Sequence, residues 1–185
     1  NLQPTRAVQS IQLRRQGKIN VGLDSVGSAQ DAAHVFAAIR KSPREQFHAL
    51  VLDANQKPIA YFKLFAGTLT QTAVYPREVA LSVYQTPGAK SVWIAHNHPS
   101  GEASPSAADR ALTKTLAELF GNDLGITLEG HVIIAGRQAV ALDATGSRYD
   151  VPFNITPLPR TKSIDVTERV FIRPPTIQEI GRATS

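Results

Sequence analysis

The chain contains no cysteine, so neither disulfides nor thiolate chemistry can contribute to its fold or its reactivity. No apolar run approaches the length of a membrane span, and no basic-then-apolar leader opens the sequence. A soluble, cytoplasmic protein with no membrane contact is therefore expected. Methionine is also missing, even at position 1, which reads as a fragment or a processed form of a longer protein. Residues 1 to 20 carry no acid, only Arg6, Arg14, Arg15 and Lys18. The net charge of +5 is lodged in the flanks: residues 151 to 185 hold five bases against three acids, whereas residues 21 to 150 hold eleven against twelve. Such flanks leave nucleic-acid contact open, although solvated tails carry the same signature.

At 185 residues and 42% hydrophobic content, the chain can bury one sizeable core. Helical and extended patterns alternate along it. Val8–Leu13 and Ile19–Val21 read as a loosely held hairpin about Arg15-Gln16-Gly17-Lys18. Ser28 caps a helix whose apolar face is Ala32, Val35, Phe36 and Ile39, stopped near Lys41 by Pro43. Arg44–Leu52 then enters a buried strand and Ile59–Phe65 follows as the next, with a further one at Thr72–Tyr75 and a helix from Arg77 to Gln85. Lys90–Ala95 is a short buried strand, and Ala108, Leu112, Leu116 and Leu119 mark a helix closing at Phe120-Gly121. Ile126–Leu128, His131–Ala135 and Ala139–Leu142 complete the strands. The last stretch holds five of the twelve prolines, which predicts an extended tail. Within it, Ile164–Val166 and Arg169–Ile172 are suited to edge strands or to docking a neighbouring domain.

The chemistry is concentrated between the Lys90–Ala95 strand and the next helix. Extended side chains alternate faces, so His96 and His98 point to one side. Ser106 and Asp109 are three apart at the start of the helix and share a face directed back at the imidazoles. Two histidines and one aspartate leave a tetrahedral Zn²⁺ with an open fourth position, the form used for catalysis. Separately, each piece is ordinary. His-x-His is commonly a polar edge, and Ser-x-x-Asp is a capping pattern that recurs without chemistry at Ser28-x-x-Asp31.

Together, His96-x-His98, seven residues, then Ser106-x-x-Asp109 resembles the signature of the JAMM metalloproteases, also called JAB or MPN. His96-Asn97-His98-Pro99-Ser100-Gly101 is similar in particular to the RadC branch, bacterial proteins long labelled DNA repair proteins. The likeness runs over about residues 27 to 143. It implies an α/β fold with a mixed central sheet flanked by helices, in the three-layer JAB/MPN and cytidine-deaminase-like arrangement. It also implies one zinc ion per chain on His96, His98 and Asp109. Residues 1 to 26 would then be a basic extension and residues 144 to 185 a Pro-rich tail.

By the same resemblance the general base precedes the first core strand, which makes it Glu45. Its rival is Glu78, whose place beside Pro76 at a helix start explains it structurally. Ser106 would donate to a developing oxyanion. The implied reaction is hydrolysis of a peptide or isopeptide bond, with a protein or peptide substrate such as a ubiquitin-like conjugate. The alternatives are a DNA-binding or DNA-processing module and a metal-stapled interaction domain within a larger mobile-element protein; a homodimer is left open. His34 is expected at the surface or boundary and His48 as structural. His131 could orient a metal ligand from behind, but a core histidine is expected; RadC relatives carry an acid directly before it where this chain has Gly130, with Glu129 one place earlier, which weakens the orienting role.

Overall fold

The computed structural model of the chain describes residues 10–67, 76–154, 158–160 and 162–172. In chain order the elements are β1 (Ser10–Asn20), α1 (Ala29–Phe36), β2 (Glu45–Leu52), β3 (Pro58–Gly67), α2 (Pro76–Tyr84), β4 (Ser91–Asn97), α3 (Ala107–Glu118), β5 (Thr127–Ala135), β6 (Gln138–Leu142), β7 (Arg148–Val151) and β8 (Ser163–Ile172). The strands form one sheet in the order β1-β8-β3-β2-β4-β5-β6-β7. Pairs β4–β5 and β3–β8 are parallel and the rest antiparallel. This is the expected mixed α/β arrangement. The expected strand at Thr72–Tyr75 lies outside the described residues.

β4 is buried along its whole length because both faces of the sheet are covered. Trp93 and Ala95 pack into a cluster with Ala32, Val35 and Phe36 of α1. Val92 and Ile94 face the other way, into a cluster with Val79 and Val83 of α2 and Leu116 of α3. Ile94 is fully buried, and a side chain of that kind stabilises the fold by about 1.5–3 kcal/mol. The strand that carries the histidines is thus held from both sides.

Local chemistry explains the element ends. The Ser28 hydroxyl accepts the Asp31 amide at 3.1 Å and starts α1. The helix tightens into a 3-10 turn over Ala37–Lys41 and stops at Ser42, whose extended backbone (φ −71°, ψ 130°) is what a following proline demands.

Two expectations are revised. The amino-terminal hairpin is instead one strand: the register shifts between Arg15 and Lys18, and Gly17 with φ 77° makes a bulge where the sequence suggested a turn. The two tail segments form a single strand, β8, which sits inside the sheet between β1 and β3. Among the described residues, no helix is long and apolar enough to cross a membrane.

Candidate metal centre

β4 sets the histidines. His96 pairs with Phe47 on β2 and with Ile133 on β5, and its ring lies on the α3 side of the sheet. The ladder continues one residue further, where the His98 amide donates to Ile134 O at 3.0 Å. Gly101, at φ 90°, then turns the chain and donates to His98 O at 3.1 Å. Ala103 anchors the loop in an apolar cluster with Ile133, Ala135, Val140 and Leu142.

The loop delivers Ser106 to the start of α3, where a reciprocal capping box forms. Ser106 Oγ accepts the Asp109 amide at 3.0 Å, and Asp109 Oδ2 accepts the Ser106 amide at 2.8 Å. The carboxylate expected to ligate a metal is thus the one that closes the cap. The cap fixes its direction.

His96 Nε2 and His98 Nε2 stand 2.8 Å apart. Asp109 Oδ1 is 3.3 Å from the first and Oδ2 is 3.4 Å from the second. Glu45 joins them: one atom each from Glu45, His96 and His98 lies within 4.8 Å of the others, with Glu45 Oε1 3.8 Å from His96 Nε2. His98 Nδ1 lies 2.9 Å from the Glu102 carbonyl, which can only accept, so Nδ1 carries the hydrogen. In the neutral ring Nε2 is then a lone-pair donor facing another imidazole nitrogen and a carboxylate. Such a convergence of donors fits a divalent cation.

Asn97, between the two histidines, points to the opposite face and is 1% exposed. Its Oδ1 accepts the Gln46 amide at 2.7 Å, while Nδ2 donates to Arg44 O at 3.0 Å and Ser42 O at 3.3 Å. This amide clamps the segment that carries Glu45 onto the histidine strand. Glu78 is engaged elsewhere, in an ion pair with the buried Arg169 of β8.

Residues 26–147 match the family model described as the RadC-like JAB domain. The chain belongs to this family. It is 45% identical over 104 residues to a UPF0758 protein of Polaromonas sp. (strain JS666 / ATCC BAA-500), a match covering 56% of this chain and 46% of the relative. A UPF0758 protein of Thiobacillus denitrificans is 43% identical over 108 residues, 58% of this chain and 47% of that one. The chain thus spans about half the length of these relatives. β1, β7 and β8 complete the sheet from outside the matched segment.

Within this RadC-like domain the charges of the site are coupled. Burial works to raise the Asp109 pKa, but hydrogen bonds from His96 and His98, in their protonated and metal-free form, overcome it and hold the carboxyl far below its usual range. The bond to Asp109 raises the His98 pKa against the opposing effect of burial. Burial, followed by the neighbouring His96, drives the His131 pKa well below its ordinary value.

His131 is buried as expected and also touches a candidate ligand. It is a core histidine, fully buried, but its Nε2 lies 2.6 Å from His96 Nδ1 and its Nδ1 2.7 Å from Thr113 Oγ1. The missing acid at position 130 has no bearing on this contact, because alternation sends residue 130 to the opposite face. A Cβ there would lie 2.6 Å from the Trp93 ring, so the bulk of Trp93 accounts for the glycine. His48 is structural as expected: Tyr61 donates to its Nδ1 at 2.5 Å, and Nε2 donates to Gln46 Oε1 at 2.9 Å. His34 is half-buried, with Nε2 bonded to Asn154 O at 2.8 Å.

Proposed function

We propose that this chain is a zinc-dependent hydrolase of peptide or isopeptide bonds, with His96, His98 and Asp109 as ligands and Glu45 as general base. One observation carries the proposal: two imidazole nitrogens and both Asp109 oxygens converge within 3.4 Å of a neighbour, with Glu45 beside them. When bound, the ion supplies Lewis acidity toward a carbonyl oxygen and acidifies a water molecule. Glu45 takes the proton of the attacking water and returns it to the leaving amine. Because Ser106 Oγ accepts the Asp109 amide, the hydroxyl hydrogen is left to donate to the oxyanion. The substrate class is a protein or peptide, a ubiquitin-like conjugate being the first to try.

Metal analysis of the purified chain followed by a chelator-controlled peptidase and isopeptidase screen tests this. One zinc per chain and chelator-sensitive cleavage are expected; a chain that takes up no metal overturns the proposal.

One observation favours the DNA-binding alternative. Two adjoining hollows share Arg137 and Phe153, one adding Arg148, itself paired with Asp150 at 3.4 Å, and the other Arg40. The basic flank argues against it, since Arg15 is ion-paired with Asp165 at 2.8 Å and Arg14 faces Glu168 in the ladder. Oligonucleotide binding that weakens with salt and is lost on replacing Arg40 and Arg137 by alanine would establish this alternative; no binding at low salt removes it.

A further inference from the structure

We propose that Thr113 and His131 form a hydrogen-bonded wire that fixes the tautomer of His96 and so presents His96 Nε2 to the metal as a lone pair. The inference rests on the metal centre proposed above and adds two positioning residues that do not themselves touch the ion.

The direction of every bond in the wire follows from one carbonyl. Thr113 Oγ1 lies 2.7 Å from the backbone oxygen of Asp109, one helical turn earlier, and 2.7 Å from His131 Nδ1. A carbonyl only accepts and a hydroxyl has a single hydrogen, so Thr113 donates to Asp109 O and must accept from His131. His131 therefore carries its hydrogen on Nδ1 and a lone pair on Nε2. Across 2.6 Å, that lone pair accepts from His96 Nδ1, which must be N–H. The remaining His96 nitrogen, Nε2, is then free to ligate, facing His98 and Asp109.

Two further features favour a built device over a chance contact. Thr113 and His131 are both fully buried, where an unmet polar atom is costly, and Phe47 packs edge-on against the His131 ring with centroids 5.8 Å apart. The wire also closes a circuit. It leaves α3 at the Asp109 carbonyl, passes through His131 on β5 to His96 on β4, and returns to the Asp109 carboxylate. Ligands from a strand and a helix are thereby set with respect to one another. His98 obtains the same tautomer more simply, from the Glu102 carbonyl. Hydrogen bonds of this kind to the far nitrogen of a metal-bound imidazole typically alter metal affinity 10- to 100-fold.

The test uses the full chain. Zinc affinity is measured by competition with a chromophoric chelator for the wild type, Thr113→Val and Thr113→Ser, and the His96 tautomer is read from long-range ¹H–¹⁵N correlations. Expected are zinc binding about 10- to 100-fold weaker in Thr113→Val, near wild-type binding in Thr113→Ser, and His96 as the Nδ1–H tautomer. Thr113→Val binding zinc as tightly as wild type, or His96 carrying its hydrogen on Nε2, overturns the wire. The tautomer measurement needs no variant and stands even if Thr113→Val fails to fold. Absence of zinc uptake by the wild type is a different failure, that of the metal centre itself.

Discussion

Asn97 Oδ1 accepts the backbone amide of Gln46 at 2.7 Å from the face of the sheet opposite the histidines. The residue between the two converging imidazoles thereby holds the peptide next to Glu45. Asn97→Ala would leave the Gln46 amide and the Ser42 and Arg44 carbonyls without this partner, at a cost of about 1–3 kcal/mol. Denaturant titration should read that loss. Zinc stoichiometry should be unchanged while hydrolysis falls, since the base and not the ligand set has been loosened.

Glu45 and Asp109 are both carboxylates near His96 Nε2, at 3.8 and 3.3 Å, and are assigned different work. Glu45→Gln should retain one zinc per chain and lose about 10²-fold or more in chelator-sensitive cleavage. Asp109→Asn should lose both metal and cleavage. Metal content by mass spectrometry separates the two; a zinc-free Glu45→Gln would make Glu45 a ligand.

Glu78, in an ion pair with Arg169, is predicted to matter for stability alone. Arg169 is buried, and Glu78→Gln withdraws the carboxylate that tethers α2 to β8. A loss of stability is expected, read as a lower denaturant midpoint with zinc content intact. A stable Glu78→Gln chain that no longer cleaves would reinstate it as the base.

Stability should depend on pH through His48. Burial, aided by Lys63, lowers its pKa to about 3 from an ordinary 6.5. Below pH 6.5 the unfolded chain binds a proton there that the folded chain does not, so stability is lost as pH falls toward 3. The slope is at most about 1.4 kcal/mol per pH unit. Denaturation midpoints between pH 6.5 and 4.5 should decline less in His48→Gln than in the wild type.

Zinc should bind more tightly as pH rises. Asp109 raises the His98 pKa, so a proton competes with the ion for Nε2 until the pH exceeds that raised value. Removing one competing proton changes affinity by up to about tenfold per pH unit. Chelator competition at pH 6, 7 and 8 checks the sign.

The convergence of His96, His98 and Asp109 was legible because strand alternation and helix capping are local rules: His96 and His98 had to share a face, and Ser106 had to orient Asp109. Asn97 drew no attention in the sequence, since its partners lie some fifty residues earlier in the chain. The contact between Thr113 and His131 was hidden for the same reason, the two being neighbours only after α3 docks on β5. Gly17 misled because a positive-φ glycine serves a bulge as well as a turn. β8 was obscured by the proline-rich composition around it, which says nothing of what a ten-residue segment pairs with.

Seating β8 between β1 and β3 gives the molecule a clasp made from its two distant ends. Among the described residues, β1 reaches the sheet by way of β8, and β8 pairs with β3 at Tyr61 to Val166, Phe62 to Thr167 and Lys63 to Glu168. Whatever loosens that grip would release the two outer strands together as a ribbon and bare the flank of β3, the neighbour of the strand that begins with Glu45.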